Sequence, residues 1–302
     1  RQRLSIGGLT VKYTTGQGHP FEAKGEFTMK INQIAIIGAG NIGTAIANGL
    51  ADSNRFKPAE IILTRRRIHL LDDMQKRGFI IEKDNCQAVR QAKIIIIAVE
   101  PQQVNSVLIE IAPHLKPNHH IVISVVTGVN TSQIVKKVGS GIAVVRAMPN
   151  TAIAVRESMT CLASDTASEA DIAITKSIFD TVGKTIVIEE EKMTAATALG
   201  ACGIAFFLRA IRAASQGGIE IGFHSQEAID IAAQTARGAA TLILTHANHP
   251  EYEIDRVTTP RGCTIAGLNQ MEHEGFSSAM IKGITVSAEH AKSLYKNTNN
   301  SD

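Results

Sequence analysis

The sequence feature that most constrains the fold of this chain is an apolar run that leads directly into a glycine-rich turn. Residues 34–37 are all apolar, the turn follows the pattern G-x-G-x-x-G, and a stretch rich in Ala and Gly comes next. A strand, this turn and a helix in that order are typical of a dinucleotide-binding βαβ unit, whose helix N-terminus faces the pyrophosphate. The alternative is a glycine turn in an ordinary α/β protein. The predicted cofactor ligands in the turn are Gly38, Gly40, Asn41, Ile42 and Gly43.

Three arginines follow the predicted second strand, residues 59–64. A site for NAD would place an acidic residue at the end of this strand to hold the ribose 2′-hydroxyl, whereas this chain continues with Arg65-Arg66-Arg67. Arginines bind a 2′-phosphate through charge-assisted hydrogen bonds. We therefore predict NADPH as the cofactor, with NADH less favoured, and Arg65 and Arg66 as its ligands. The alternative is a solvated basic start to the next helix.

From Met29 onward the chain alternates strand-like apolar runs with helical patterns. The strand-like runs are residues 34–37, 60–63, 79–82, 93–99, 121–126, 143–147, 160–163 and 185–188. Near-continuous apolar strands such as 94–99 are typical of a parallel sheet that is buried on both faces. After about residue 190 the pattern is helical only. We predict an NADP-binding, Rossmann-like α/β domain with a mostly parallel sheet over residues 29–190, and an all-α dimerisation domain over 191–302.

Residues 1–28 show no useful periodicity. They contain scattered glycines and polar residues, and Met29 lies just before the first strand. We predict a disordered extension or an added leader over residues 1–28. A short added hairpin is the alternative.

Composition disfavours several classes of function. The net charge of +3 over 302 residues gives no argument for nucleic acid or membrane partners, and aromatic residues are only 4% of the chain. The four cysteines form no C-x-x-C pair, so we predict no metal site and assign reduced thiols to a cytoplasmic protein. The longest apolar stretch near the centre of the chain, residues 193–208, is shorter than the roughly 20 residues of a membrane span. We predict a buried helix there.

The helical half of the chain is rich in small residues. Ala and Gly recur through residues 195–205, 213–218 and 232–240. Small side chains let helices approach closely but bury little apolar area, so about a hundred such residues make a thin core. A second copy of the chain would complete that core, and we predict a homodimer.

Two further segments follow strands at the edge that carries the glycine turn. Residues 98–102 come after one strand, and residues 146–151, which include Pro149, end another. The carboxyl edge of a doubly wound sheet faces the cofactor crevice. For the second segment, the alternative is a Pro-Asn turn without a ligand. The predicted cofactor contacts in these segments are Ala98, Val99, Pro101 and Asn150.

The segment 257–268 combines hydroxyls, Pro and Gly ahead of an amphipathic helix. Such a helix entry presents free N–H groups at the positive end of the helix dipole, which suits a carboxylate. The alternative is a capped helix that binds nothing.

Taken together, these segments resemble the pyrroline-5-carboxylate reductases, the last enzymes of proline biosynthesis. The resemblance extends from Met29 to about Tyr295, and residues 37–43, 98–102, 146–151 and 257–267 carry it. The last of these resembles the family signature V-[ST]-S-P-G-G-T-T-I-A-G. The resemblance implies a Rossmann domain, a helical domain that interlocks with that of a partner, and dimers that often assemble into decamers as pentamers of dimers. It also implies that the substrate lies between the cofactor and the partner's helical domain.

The resemblance further implies hydride transfer from NADPH to the C=N carbon of a cyclic imine carboxylate, 1-pyrroline-5-carboxylate, giving L-proline. On this hypothesis the backbone N–H groups of Gly262, Cys263 and Thr264 hold the carboxylate. The Thr264 hydroxyl, the predicted catalytic group, forms a hydrogen bond with the ring nitrogen. Thr259 and Arg261 complete the predicted substrate loop.

The chain departs from the family pattern at several positions. Arg261 replaces a Gly, Thr259 a Ser, Cys263 a Thr and Glu100 a Lys, and the family's G-S-G-P-A run lacks its Pro here. If residue 261 has positive φ, Arg costs about 1 kcal/mol of strain there. Its side chain then either clamps a carboxylate or obstructs the loop.

The departures keep other functions open. One is an NADPH-dependent reductase of a different cyclic imine, and another is a catalytically weak NADPH-binding regulatory homologue. A reductase of 3-hydroxy acids is disfavoured, because the helix after Gly203 has Phe207 where those enzymes carry a proton-donating Lys.

Overall fold

A computed structural model of the protein describes residues 3–6, 9–12 and 33–297. Strands β1 (Arg3–Ile6) and β2 (Leu9–Lys12) pair antiparallel as a short hairpin. This is the hairpin that the sequence offered as the alternative for residues 1–28, and the rest of that predicted extension lies outside the described residues. The hairpin and the part of the chain from Gln33 onward are separate compact units.

Eight strands form the sheet of the larger unit. They are β3 (Ile34–Ile37), β4 (Ile61–Thr64), β5 (Ile80–Glu82), β6 (Ile94–Ile97), β7 (Ile121–Ser124), β8 (Ala143–Met148), β9 (Ser158–Ala163) and β10 (Gly183–Val187). Their order is β10-β9-β8-β7-β6-β3-β4-β5, and every pair is parallel except β8–β9. The chain reverses its winding direction between β3 and β6, and this is where doubly wound sheets bind ligands.

The predicted strands are confirmed, although the bounds of most of them shift by one or two residues. Each residue of β3, β4, β6 and β7 is buried, as expected for a parallel sheet covered on both faces. The predicted run 93–99 contracts to Ile94–Ile97, because Ala98 and Val99 already belong to the turn at the carboxyl edge. Apolar side chains continue past the last ladder residue there, so composition alone overestimates the strand.

Helices cover both faces of the sheet and then form the rest of the chain. They are α1 (Asn41–Asp52), α2 (Asp72–Lys76), α3 (Asn85–Gln91), α4 (Pro101–Ile111), α5 (Thr131–Val138), α6 (Glu169–Phe179), α7 (Met193–Ala196), α8 (Gly203–Glu220), α9 (Ser225–His246), α10 (Pro250–Val257), α11 (Cys263–His273) and α12 (Phe276–Asn297). A π-helical stretch, Thr197–Cys202, joins α7 to α8. No strand follows β10 within the described part of the chain, whereas the domain boundary near residue 190 stays a prediction.

The helical region exposes much of its apolar surface in the single chain. The prediction that residues 193–208 form a buried helix is wrong in its burial: Phe207 is 63% exposed and Leu208 is 58% exposed. Residues 190–220 also form a helical stretch that is long and apolar enough to cross a membrane by length and composition, contrary to the expectation from sequence. The helix exists as predicted, but much of its apolar surface is exposed in the single chain.

His120 is the buried histidine of the sheet domain. It precedes β7, and its Nδ1 accepts a hydrogen bond from the Lys116 N–H at 2.7 Å. Burial lowers the pKa of His120, the neighbouring His119 and Lys116 lower it further, and backbone contacts to Val89 and Ala92 oppose them. The folded protein therefore favours the neutral ring.

We expect the free energy of unfolding to decrease as pH falls through the ordinary histidine pKa of about 6.5, because the unfolded chain then binds a proton that folded His120 resists. Denaturant titrations at several pH values and fixed protein concentration would measure this slope. His120→Asn retains an acceptor near the position of Nδ1 and should flatten the slope, whereas His119→Asn, which removes only a secondary cause of the pKa shift, should flatten it less. Equal slopes for the wild type and His120→Asn would contradict the assignment.

Candidate cofactor and substrate site

The glycine turn after β3 has a distinct steric need at each glycine. Gly38 has φ of 95°, and a Cβ there would lie 2.8 Å from the Ala98 carbonyl oxygen. A Cβ on Gly43 would lie 2.5 Å from the Gly38 carbonyl oxygen. A Cβ on Gly40, by contrast, would have no heavy atom of the described residues within 4 Å. The first and third glycines are thus required by packing, and the second leaves room for a ligand.

Two helix N-termini meet at this edge of the sheet. Helix α1 follows β3 with Gly40 as its N-cap, and α4 follows the neighbouring β6 with Glu100 as its N-cap. Neither N-cap residue makes a side-chain capping hydrogen bond. The first-turn N–H groups therefore have capacity for an anion. The predicted residues Ala98, Val99 and Pro101 lie here, next to the glycine turn.

The predicted arginines directly follow Thr64, the strand residue whose carbonyl is hydrogen-bonded to the glycine turn. The Thr64 carbonyl at the end of β4 accepts hydrogen bonds from the N–H groups of Gly38 at 3.2 Å and Ala39 at 2.7 Å. Arg65 is half-buried and Arg66 is exposed. Among the residues that the structure describes, none forms a hydrogen bond or ion pair with either guanidinium. Their charges remain available for a phosphate.

Asn150 is held by the chain itself on both sides of its carboxamide. Its Oδ1 accepts from the Ala152 N–H at 3.0 Å, and its Nδ2 donates to the Gly200 carbonyl at 3.2 Å. The Asn150 N–H donates to the Ser158 hydroxyl at 3.1 Å. Asn150 therefore forms the turn that the sequence offered as the alternative, and it also joins this turn to Gly200, which the sequence did not predict. Its predicted cofactor contact rests on the remaining amide hydrogen and oxygen lone pair.

The 259–264 loop connects α10 to α11. Gly262 is the N-cap of α11, and a Cβ there would collide with the Thr259 hydroxyl. The Gly262 N–H donates to the Thr259 carbonyl at 2.9 Å, so it is not free for a substrate carboxylate as predicted. The N–H groups of Cys263 and Thr264 and the Thr264 hydroxyl form no hydrogen bond within the described ranges. These three donors remain for a ligand.

Arg261 has φ of 59°, the left-handed region in which an L side chain costs about 1 kcal/mol or more. This confirms the condition that the sequence set for strain at residue 261. The side chain is exposed and has no ion-pair partner among the described residues. In the single chain, no hydrogen bond of the described residues links the 259–264 loop to the glycine turn. The predicted cofactor residues are thus brought together at one edge of the sheet, without a hydrogen bond from the substrate loop among the described residues.

Sequence reasoning missed a buried ion pair beside this edge. Arg146 Nη1 lies 2.7 Å from Glu190 Oε1, and the Thr131 hydroxyl donates to Glu190 Oε2 at 3.0 Å. Arg146 belonged to a recognised motif, but nothing local indicates a partner 44 residues away. A charged residue within an otherwise apolar strand is the only signal that could have suggested it.

Two cavities of about 490 and 530 Å³ lie elsewhere in the larger unit. The first includes Lys93, His119 and Asp171 in its wall, at the amino end of the parallel strands. The second lies along residues 187–192. Neither of these two cavities is lined by a predicted site residue.

Two family models match the chain. One is described as pyrroline-5-carboxylate reductase dimerisation and matches residues 190–294. The other is described as NADP oxidoreductase coenzyme F420-dependent and matches residues 33–128. The first covers the helices whose apolar faces are exposed, and the second covers the glycine turn and the arginines.

Similar proteins carry consistent names. The chain is 51% identical to pyrroline-5-carboxylate reductase 1 of Dictyostelium discoideum, over 87% of this chain and 50% of that protein. It thus spans half the length of that relative. It is 47% identical to pyrroline-5-carboxylate reductase 2 of the same organism, over 85% of this chain and 91% of that protein.

Solved structures of similar proteins share the fold. The Coxiella burnetii pyrroline-5-carboxylate reductase superposes with a TM-score of 0.81 at 30% identity, over 87% of this chain and 98% of that one. The Plasmodium falciparum pyrroline carboxylate reductase, solved with NADP bound, gives 0.79 at 25% identity, over 88% and 99%. The same architecture therefore extends across the nucleotide-binding sheet and the helices.

Proposed function

Because the chain belongs to the pyrroline-5-carboxylate reductase family, we propose that it reduces the C=N bond of 1-pyrroline-5-carboxylate to give L-proline. The observation that carries this proposal is 47% identity along 91% of the second Dictyostelium reductase, together with a glycine turn that leaves room only at Gly40. A turn built in this way fits a dinucleotide pyrophosphate against the N-terminus of α1.

We propose NADPH as the preferred cofactor. When bound, it supplies the hydride. This chain's own residues bind and orient it: Gly40 admits the pyrophosphate, and Arg65 and Arg66 carry unpaired charge toward a 2′-phosphate. The Plasmodium falciparum relative with NADP bound supports a nicotinamide cofactor.

On the substrate side, the N–H groups of Cys263 and Thr264 hold the carboxylate at the N-terminus of α11, with Thr259 and Arg261 flanking it. The Thr264 hydroxyl forms a hydrogen bond with the ring nitrogen of the substrate. A protonated imine already accepts hydride readily, so the residues of the loop need only orient the ring and exclude water. This assignment requires a 259–264 loop beside the cofactor edge. In a homodimer, a second copy of the chain would supply that loop.

The direct test is a steady-state assay of NADPH oxidation with 1-pyrroline-5-carboxylate. We expect saturable turnover and formation of proline. NADPH binding without turnover would instead support a regulatory homologue. Turnover with other cyclic imines and none with this one would support a reductase of different specificity.

Cofactor preference can be tested through the two arginines. We expect replacement of both Arg65 and Arg66 by Ala to reduce the NADPH-to-NADH ratio of kcat/KM by an order of magnitude or more, because charge-assisted contacts to phosphate are strong. Arg77→Ala is a matched control, since Arg77 is engaged on the surface by Asp52 at 2.7 Å. An unchanged ratio in the double variant would remove the assignment.

We further propose that the active form is at least a homodimer, built through residues 190–294. The match to the dimerisation model supports this, and so do exposed apolar side chains along α8 and α9 such as Phe207 and Leu244. A decamer of five dimers is the larger assembly that the family suggests. Four free cysteines are consistent with a cytoplasmic location.

Light scattering at micromolar concentration should report a dimer or a larger species, because the exposed apolar faces of α8 and α9 need a partner. A variant such as Phe207→Glu should reduce the mass or the stability of the assembly. A folded monomer of the unmodified chain at that concentration would contradict the prediction.

A further inference from the structure

The ion pair between Arg146 and Glu190 is enclosed and fully bonded at its carboxylate. Only 3% of the Arg146 side chain and 15% of the Glu190 side chain are exposed. Glu190 Oε1 accepts from Arg146 Nη1 at 2.7 Å and from the Thr131 N–H at 3.2 Å, and Oε2 accepts from the Thr131 hydroxyl at 3.0 Å. Three donors from two elements therefore fix one carboxylate.

These contacts join the sheet to the beginning of the helical region. Arg146 lies on β8, Thr131 is the first residue of α5, and Glu190 is the first residue matched by the dimerisation model. Four residues beyond Arg146, Asn150 donates to the Gly200 carbonyl in the π-helical stretch. The end of β8 thus holds the helical region at two points that are ten residues apart.

We propose that Arg146 and Glu190 are positioning residues: they fix where the helical region, which carries the 259–264 loop, begins relative to the sheet, and so where this loop lies relative to the cofactor edge in the assembled dimer. The inference rests on the proposed function. Buried ions are costly, and an apolar pair of similar size would provide cohesion equally well. Directional hydrogen bonds to a single carboxylate instead define one geometry, which a reaction that depends on orientation requires.

The sharpest test compares Glu190→Gln with Glu189→Gln. Both remove one carboxylate charge at adjacent positions, but Glu189 is exposed and pairs with Lys192 on the surface at 2.8 Å. Thr131→Val is a milder second variant, because it removes one hydroxyl contact and keeps the ion pair. It allows the test to proceed if Glu190→Gln does not fold.

We expect Glu190→Gln to lower kcat/KM for the imine by roughly 10- to 100-fold, with NADPH affinity within about threefold of the wild type. Thr131→Val should give a smaller loss in the same direction, and Glu189→Gln should be within about twofold. A purely structural role predicts a lower Tm with full kcat/KM below that temperature. That result, or a parallel loss of NADPH affinity, would overturn the proposal.

Hydrogen exchange without substrate separates this inference from the proposed function. Glu190→Gln should increase exchange in residues 197–202 and 259–264 relative to Glu189→Gln, whether or not the imine is turned over. If the wild type shows no turnover but this difference appears, the proposed function fails and the positioning role stands. Turnover by the wild type together with unchanged exchange in the variant would overturn the positioning role alone.

Discussion

Gly40→Ala should weaken NADPH binding by roughly 10- to 100-fold while the protein remains folded. The built Cβ meets no described atom within 4 Å, and the backbone at φ −84° and ψ −155° accepts an L side chain. Ala stabilises the protein by restricting the unfolded chain, but it is a poorer N-cap residue than Gly. These opposing effects should keep the change in the free energy of unfolding within about 1 kcal/mol. The added methyl group fills only the space that a pyrophosphate would occupy. Fluorescence titration with NADPH and a thermal melt measure the two quantities.

Gly43→Ala is the matched control, because it adds the same methyl group three residues later. There the Cβ would lie 2.5 Å from the Gly38 carbonyl oxygen, so the cost falls on the fold, at about 1–3 kcal/mol. The two variants should therefore separate: one loses ligand with a normal melt, and the other loses stability. Normal NADPH affinity in Gly40→Ala would place the pyrophosphate elsewhere.

Thr264→Ala should lower kcat/KM for 1-pyrroline-5-carboxylate by roughly 10- to 150-fold and leave NADPH affinity nearly intact. The hydroxyl forms no hydrogen bond within the described ranges, so its removal leaves no buried partner unsatisfied. A hydrogen bond to a charged group contributes about 1.5–3 kcal/mol, which sets the expected range. Steady-state kinetics and NADPH titration of the same preparation make the measurement.

Thr258→Ala provides the comparison for that loss. Its hydroxyl donates to the Ile254 carbonyl at 2.8 Å, in the last turn of the helix that Thr258 caps, and so has a local use. We expect a modest stability change and near-normal kcat/KM. Full activity in Thr264→Ala would show that the imine nitrogen is held by another group, whereas equal losses in both variants would indicate that the loop simply unfolds.

Local pattern was sufficient for the elements that bury themselves within one chain. The apolar runs around Ile34 and Ile94 predicted parallel strands that are buried on both faces. Every residue of β3 and β6 is indeed buried. The motif predicted the glycine turn after β3, and the sequence set a positive φ as the condition for strain at Arg261, which the structure meets. In each case the determining contact lies in the same turn or between neighbouring strands.

Contacts between distant parts of the chain were beyond that pattern. The carboxamide of Asn150 bonds a carbonyl 50 residues away, and Arg146 pairs with Glu190 across 44 residues. The Gly262 N–H was predicted to face the substrate, yet the tight turn directs it to Thr259. The prediction that residues 193–208 are buried was wrong, because the sequence shows that a helix is apolar but not which surface covers it.

If a second copy of the chain covers the exposed apolar faces of α8 and α9, the stability of each chain depends on its concentration. If the folded form is selected by pairing, mass action stabilises it by about 1.4 kcal/mol for each tenfold rise in concentration above the dissociation constant. A newly made chain in a dilute compartment would then be open to chaperones and proteases until it meets another. Abundance itself becomes a determinant of how much enzyme survives, and a partially matching relative made in the same cell would compete for the same apolar surface.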